Sequence, residues 1–437
     1  MKLKERLKSY PKYKIIGKVK KIKGNTIEAV MPEVSIGDVC FINGSIEAQV
    51  VGFNDKYTIL MTYEDIEGVK VDSPVVLSYT KGNVLVGDDL LGSILDPFGK
   101  PLNKESINYS NSYYLKLESI NPLERERIKE VLDVGVKVIN ALITIGKGQR
   151  VGILAPAGVG KSTLLGMIAR YTDADVNVIA LIGERGREVK EFVEDNLGEE
   201  GLKKSVVVVA TSDMSPLAKI RAVLTSLTIA RYFSDKGKNV LYLLDSLTRV
   251  AMAQREIGLS AGEPPTTKGY TPSVFTLMPK IIEQAGNFKR KGSITGIYTV
   301  LIEGEEISTD PVADAAVSFL DGHIVLSRQI ANKRIYPAVD ILKSISRLMP
   351  QLVNDEIMNY QSIIINLESK YRDMEDMINL GLYKEGSSKE IDIAIKMHPI
   401  IEDFIKQNIN EKFDFNSSIE NLKKVVEYYV NMGGEIT

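Results

Sequence analysis

Short apolar runs rich in β-branched residues fill the chain from residue 14 to residue 87. The six runs read KIIGKVKKI, NTIEAVM, DVCFI, IEAQVVGF, KYTILMT and SPVVLSY, and turns rich in Gly, Asn, Asp and Pro separate them. Short strands at this spacing predict a small closed β-barrel rather than an open sheet. The runs lack the basic and aromatic pattern of RNA-binding sheets, so a structural or assembly barrel is favoured.

The pattern changes between residues 88 and 348, where longer apolar runs alternate with helical periods. The candidate strands are RVGILAP, VNVIALIG, SVVVVATS, NVLYLLDS, SITGIYTVLI and HIVLSR. Strands that are apolar throughout, separated by amphipathic helices, indicate a mostly parallel sheet covered on both faces. This region is therefore predicted to be a doubly wound α/β domain.

The strand runs cease at the start of the last region, residues 349–437, where segments mixing charged and apolar residues at helical spacing take over. In SSIENLKKVVEYYV, Ser417 and Glu420 have the spacing of a capping box, which predicts the start of a helix. The sequence thus predicts a closing helical domain.

The first residues, 1–13, form a basic segment with Leu3 and Leu7 on one face of a possible short helix. Such a face could hold a partner or an acidic surface, but a frayed, solvated terminus explains the same residues. No apolar stretch follows that would make the segment a secretory signal.

Composition narrows the classes of function. The chain has 437 residues, with 55 Lys and Arg against 57 Asp and Glu, so it carries no global basic field for nucleic acid. Cys40 is the single cysteine and no apolar run approaches the roughly 20 residues of a membrane span, which favours a cytosolic protein. Cys40 is read as a small buried hydrophobe, and His323 and His398, far apart in sequence, as structural residues.

The stretch APAGVGKSTLL follows one predicted strand and opens a predicted helix, which is the context of a phosphate-binding loop. Ala155 stands where the first glycine of G-x-x-x-x-G-K-[ST] usually does, and is tolerated if its φ is negative. Gly158 and Gly160 let the backbone turn its amides around the phosphates. Lys161 supplies a cation to the terminal phosphates, and Ser162 offers a hydroxyl to Mg²⁺. The predicted nucleotide-binding residues of the loop are Ala157, Gly158, Val159, Gly160, Lys161, Ser162 and Thr163.

Carboxylates follow two further strands. Asp245 ends the run NVLYLLD, where it can hold Mg²⁺ through a water molecule, although an Asp that caps the next helix explains the same letters. Glu184 and Arg185 follow the run VNVIALIG, at the sheet edge where ligands bind. Glu184 is either the general base that activates water or part of a solvated charge run with Arg187 and Glu188, and the residues alone leave both readings open.

Together these motifs resemble those of the ATPase of the type III protein-export apparatus, a relative of the rotary ATP synthase catalytic subunit. The matching stretches are LLGSILDPFGKPL, APAGVGKST, IGERGREVKEF, LLDSLTRVAMAQREIGLSAGEPPTTKGY, DGHIVLSR and YPAVDILKSISR. The likeness runs from about residue 17 to residue 407, nearly the whole chain. It implies a RecA-like P-loop ATPase core between an N-terminal six-stranded β-barrel and a C-terminal helical domain.

The resemblance also implies roles for single residues. Glu184 is the catalytic carboxylate with Arg185 beside it, and Tyr336 stacks on the adenine of ATP. Arg347, which from the residues alone reads as a surface arginine, matches the finger that reaches a neighbouring subunit's γ-phosphate. One chain then holds both halves of a catalytic interface, so a homo-hexameric ring is expected, with ATP and Mg²⁺ as cofactors.

The partners implied by the resemblance are an export-apparatus regulator, a central stalk protein, export substrates and their chaperones. The expected location is the cytoplasm, with peripheral association at the inner face of the membrane, and no nucleic-acid partner is expected. The stretch EGEEISTDPVAD, residues 303–314, departs from the usual family form where relatives face the central channel. Flagellar export is favoured, the alternatives being injectisome effector export, a hexameric nucleic-acid translocase, and a non-catalytic ring subunit, against which Glu184 argues.

Overall fold

The computed structural model describes residues 15–78, 82–304 and 306–435, so the basic segment 1–13 lies outside the described residues. Six antiparallel strands close into a barrel in the order β1-β2-β5-β4-β3-β6, with β6 returning to pair with β1. The barrel predicted from the sequence is confirmed. Its strands are β1 (Ile16–Lys23), β2 (Thr26–Val30), β3 (Val39–Ile42), β4 (Ile46–Phe53), β5 (Thr58–Thr62) and β6 (Pro74–Leu77).

Alternate residues of the barrel strands point inward, and they form a small core of their own. Cys40 belongs to that core, is fully buried, and lies beside Ile42 and Leu77. Burial raises the pKa of its thiol to about 12, so it is not a nucleophile at neutral pH.

The remaining strands belong to the central region. A ribbon of two strands, β7 and β9, pairs apart from the main sheet. The strands are β7 (Asn83–Val86), β8 (Ser93–Leu95), β9 (Asn111–Tyr114), β10 (Arg150–Ala155), β11 (Val176–Ile182), β12 (Ser205–Ala210), β13 (Val240–Asp245), β14 (Gly286–Asn287), β15 (Ser293–Leu301), β16 (Gly322–Val325) and β17 (Ile345–Ser346).

The main sheet has the order β17-β16-β10-β15-β13-β11-β12-β8, with β14 added to β15. Its strands pair in parallel except for the short β14 and β17. Along β11, Ile179 and Leu181 pack into one hydrophobic cluster, whereas Val178 and Ala180 pack into the other. Both faces are therefore covered, and the doubly wound sheet is confirmed.

The helices cover these faces and close the chain. They are α1 (Lys137–Leu142), α2 (Lys161–Tyr171), α3 (Gly186–Glu191), α4 (Gly198–Lys203), α5 (Pro216–Asp235), α6 (Leu247–Ser260), α7 (Pro272–Ile282), α8 (Pro311–Phe319), α9 (Arg328–Asn332), α10 (Met349–Leu352), α11 (Asp355–Asn379), α12 (Lys389–Ile405) and α13 (Phe415–Asn431), and a π-helical turn spans Phe192–Leu197. In the part of the chain that the structure describes, none of these helices has the length and apolar character of a membrane span.

The predicted capping box at the last helix is wrong. Helix α13 begins at Phe415, and Asp414 is its N-cap, whose carboxylate accepts a hydrogen bond from the Ser417 N–H at 2.8 Å. Ser417 therefore lies inside the first turn. Asp and Ser cap helices about equally well, and here the Asp comes first.

Arg221 on α5 joins the barrel to the central region. Its guanidinium lies 4.4 Å from the ring centroid of Phe98 and 5.3 Å from that of Tyr63. It also forms an ion pair of 3.1 Å with Glu47 of β4, and its side chain is only 11% exposed. A planar cation held between two rings and a carboxylate fixes the barrel against α5.

We expect Arg221→Ala to cost about 2 kcal/mol of stability, because it removes the cation–π contacts and leaves Glu47 without its partner. The measurement is the melting temperature of the full chain by calorimetry. Arg187→Ala is the matched control, since the Arg187–Glu191 pair is exposed and its loss should leave the melting temperature unchanged. Equal melting of all three proteins would contradict the anchoring role.

Candidate nucleotide-hydrolysis site

The phosphate loop connects β10 to α2 at the carboxyl edge of the sheet. Ala155 is the last residue of β10, is fully buried, and pairs with Leu301 of β15. It is thus an extended strand residue, and no left-handed conformation is required of it. Gly158 and Gly160 have φ of 81° and 86°, which favours glycine at both positions. The loop therefore adopts its sharp turn despite the alanine.

Lys161 lies between two carboxylates contributed by neighbouring strands. Its Nζ contacts Oδ1 of Asp245, which ends β13, and lies 3.6 Å from Oε1 of Glu184, which follows β11. The side chains of Lys161, Asp245 and Glu184 are only 12%, 3% and 15% exposed, respectively. The structure thus brings together the three charged residues that the sequence placed on separate motifs.

Glu184 differs from its charged neighbours. The pKa of its carboxyl is raised to about 7, chiefly by burial and then by the nearby Asp245 and Glu188, while Lys161 opposes the shift. The side chains of Arg185 and Arg187 are 81% and 88% exposed, and Arg185 pairs with Glu188 at 3.7 Å. The solvated charge run therefore describes the residues after Glu184, and Glu184 itself lies in the site.

Asp245 does not cap the helix that follows it. The N-cap of α6 is Ser246, whose hydroxyl accepts a hydrogen bond from the Arg249 N–H. The Asp245 carboxylate is instead turned towards Lys161 and towards Thr299 of β15, whose hydroxyl donates to Oδ1 at 2.7 Å. Sequence reasoning missed Thr299, and the available signal was a hydroxyl residue near the end of the apolar run SITGIYTVLI.

Tyr336 lies against the phosphate loop. A Cβ placed on Gly160 would be 3.4 Å from Cδ1 of the tyrosine ring, and Tyr336 is 45% exposed. The C-terminal helical region holds its backbone, because the N–H of Gln407 donates to the Tyr336 carbonyl oxygen at 2.9 Å. Arg372 of α11 donates to both oxygens of Asp340, four residues further on, at 2.9 Å each.

Arg347 lies at the other end of the sheet. It follows β17, is exposed, and donates its N–H to the Asp321 carbonyl oxygen at 2.9 Å. The preceding residue pairs with Gly322, which pairs with Val151 near the start of β10. Val151 is four residues from Ala155, or roughly 13 Å along the strand. Arg347 is therefore not part of the constellation around Lys161 of the same chain.

Comparison with known proteins agrees with this geometry. Residues 135–346 match the model of the ATP synthase alpha/beta family, nucleotide-binding domain, and residues 353–424 match the T3SS EscN ATPase C-terminal domain. The chain is 49% identical over 415 residues to the flagellum-specific ATP synthase of Aquifex aeolicus, covering 94% of both chains. It is 49% identical over 414 residues to that of Bacillus subtilis, covering 93% of this chain and 94% of the relative.

Solved structures give the same result. The assembled ATPase EscN from the enteropathogenic E. coli type III secretion system superposes with a TM-score of 0.89 at 41% identity, over 94% of this chain and 100% of that one. The structure of EscN in complex with its central stalk EscO superposes with a TM-score of 0.85, also at 41% identity and over 94% of this chain and 100% of that one. The fold and site define a nucleotide-binding ATPase. The chain belongs to the ATP synthase alpha/beta family, in its type III export branch, as the motifs predicted.

Proposed function

We propose that this chain hydrolyses ATP with Mg²⁺ at the site built around Lys161, and that the energy drives the export of flagellar subunits. The observation that carries the proposal is the cluster in which Lys161 meets Asp245 and Glu184 at one edge of the sheet. The residues fit Mg²⁺, because the Ser162 hydroxyl is an oxygen ligand of the kind it prefers and the Asp245 carboxylate can hold it through a bound water molecule. When bound, Mg²⁺ would neutralise charge on the β- and γ-phosphates.

Each protein group then has one task. The amides of residues 157–163 and the Lys161 ammonium hold the phosphates, and the Tyr336 ring stacks on the adenine. Glu184 takes the proton of the water that attacks the γ-phosphorus. Arg185, exposed at the rim, is proposed to act beside Glu184. The partly buried position of Glu184 supports its role, since a general base works best with a pKa near the working pH.

A pH profile tests this assignment. Since Glu184 must be ionised to accept a proton and its pKa is about 7, kcat/KM should rise as pH increases through about 7 and level off above it.

The free energy of unfolding should change in the opposite direction. Between pH 4.5 and about pH 7 the folded chain retains a proton on Glu184 that the unfolded chain releases, so the folded state loses stability as pH rises through that window. Glu184→Gln should remove its contribution to the slope of melting temperature against pH, and an unchanged slope would contradict the raised pKa.

We propose that the working assembly is a homo-hexamer. Because Arg347 lies at the far end of β10 from the phosphate loop of its own chain, a role on ATP requires a neighbouring copy. The EscN structure that this chain resembles is of an assembled ATPase. Gel filtration with and without ATP, followed by phosphate-release assays on each fraction, tests the proposal. A monomer as active as the assembled fraction would overturn it.

The flagellar substrate is proposed because relatives at 44–49% identity carry the flagellum-specific name, whereas the solved type III secretion ATPases are 41–44% identical. The proposed partners are a central stalk protein, an export-apparatus regulator, substrates and their chaperones, with the loop 303–314 as the element that meets the stalk.

We place the protein in the cytoplasm, with peripheral association at the membrane and no nucleic-acid partner. We also propose three domains, at about residues 14–81, 82–348 and 349–437. The sequence placed the first boundary at residue 87, but Val84 and Val86 of β7 pack into the central core.

The basic segment 1–13 is proposed to bind the regulator or an acidic membrane surface. Deleting it should leave the basal ATPase rate of concentrated protein near that of the full chain, since the deletion spares the site. Binding to vesicles containing anionic lipid, measured by co-sedimentation, should fall several-fold. Equal vesicle and partner binding by both proteins, or inactivity of an assembled truncated ring, would reassign the segment to the folded barrel.

A further inference from the structure

Thr299 occupies the strand that separates the phosphate loop from Asp245. In the sheet, β15 lies between β10 and β13. Thr299 pairs with Ile153 of β10, and the residue before it pairs with Leu244 of β13. Thr299 is fully buried. Thr299 therefore lies near the carboxyl end of β15, between the strand that leads into the phosphate loop and the strand that ends at Asp245.

The hydroxyl of Thr299 has a single proton, and two acceptors lie near it. Oγ1 is 2.7 Å from Oδ1 of Asp245 and 3.2 Å from the carbonyl oxygen of Leu244. The shorter distance is the usual one for a hydroxyl donating to oxygen, and a bond to a charged acceptor is the stronger of the two. An ionised carboxylate only accepts, so Thr299 is the donor to Asp245.

Both hydrogen bonds to the Asp245 carboxylate fall on the same oxygen. Lys161 and Thr299 contact Oδ1, and among the described residues none donates to Oδ2. When Lys161 turns to hold phosphate, Thr299 is the donor that stays, because its strand is paired on both sides. The carboxylate then keeps Oδ1 bonded to Thr299, and Oδ2 can accept a hydrogen bond from a Mg²⁺-bound water molecule.

We infer that Thr299 is a positioning residue whose hydroxyl orients Asp245 for Mg²⁺ binding. The inference rests on the proposed function, since it assigns to Asp245 a water-bound Mg²⁺. A partner that holds a metal-binding carboxylate typically contributes 10- to 100-fold in metal affinity. Valine has nearly the shape of threonine and would fill the same space, so packing alone does not account for the hydroxyl at this position.

The test uses the full chain and three substitutions. Thr299→Val removes the donor and keeps the shape, and Thr299→Ser restores the donor. Thr295→Val is the matched control, because Thr295 is buried on the same strand and its hydroxyl accepts from the Gly148 N–H instead. Fluorescent ADP is titrated at a series of free Mg²⁺ concentrations and in EDTA, and phosphate release is measured in parallel.

We expect Thr299→Val to need about 10-fold more Mg²⁺ for half-maximal nucleotide binding, with unchanged affinity in EDTA. Thr299→Ser and Thr295→Val should stay close to the unsubstituted chain. An unchanged Mg²⁺ requirement in Thr299→Val, or an equal defect in Thr299→Ser, would overturn the inference alone. Nucleotide binding by the unsubstituted chain that ignores Mg²⁺ would overturn the proposed metal site as well. If Thr299→Val does not fold, Thr299→Cys, which keeps the volume with only a weak donor, is measured in the same way.

Discussion

Glu184→Gln should lower ATP turnover by about 100-fold or more while leaving nucleotide binding intact. Glutamine keeps the shape and the position after β11 but cannot take a proton from water. Lys161 and the loop amides, which hold the phosphates, are untouched by the change. Fluorescent ATP titration beside a phosphate-release assay separates the two properties. The substitution also removes a buried acid, so the folded protein should be at least as stable above pH 7.

Glu191→Gln is the matched control, because Glu191 lies at the end of α3, is 45% exposed and pairs with the exposed Arg187. It should keep turnover within about twofold, since an exposed ion pair contributes little. A Glu184→Gln protein with near-native turnover would remove this carboxylate from the role of general base. Loss of turnover together with loss of ATP binding would instead assign Glu184 to holding the nucleotide.

The barrel and the parallel sheet could be predicted from the sequence because their signals are local. Runs such as SVVVVATS, with four consecutive valines, become strands buried on both faces, as β12 is. Helix ends are less certain, since several capping residues compete within one turn. Asp414 caps α13 three residues before the predicted Ser417, and only the backbone geometry decides between them.

In the candidate site too, the residues with a local sequence signal could be predicted and those that depend on strand order could not. Lys161 could be predicted because the phosphate loop is a contiguous motif, and Asp245 because it ends a buried run. Glu184 stayed ambiguous, since its burial depends on β11 lying next to β13, which is a non-local pairing. The hydroxyl of Thr299 near the end of its apolar run was only a weak signal, because the order β10-β15-β13 is what brings it between the two motifs. Sequence spacing does not reveal that order.

Arg347→Ala should lower ATP turnover by roughly 1,000-fold, the usual contribution of an arginine that meets γ-phosphate charge in the transition state. Because Arg347 is exposed and lies away from the phosphate loop of its own chain, the fold and the binding of nucleotide by the isolated subunit should be preserved. Phosphate release and calorimetric melting measure the two effects. A variant whose melting temperature falls and whose activity is lost to the extent that the protein is unfolded would indicate a structural role for Arg347.

Mixing two inactive proteins then decides where the finger acts. Arg347→Ala subunits keep Glu184, and Glu184→Gln subunits keep Arg347, so about one quarter of the interfaces in a random ring would hold both intact. A finger acting across the interface predicts recovered ATPase activity in that mixture. Arg347→Ala mixed with the double variant is the control, because no interface there contains an intact Arg347. If native mass spectrometry shows mixed rings and activity is still not recovered, the finger in trans is excluded.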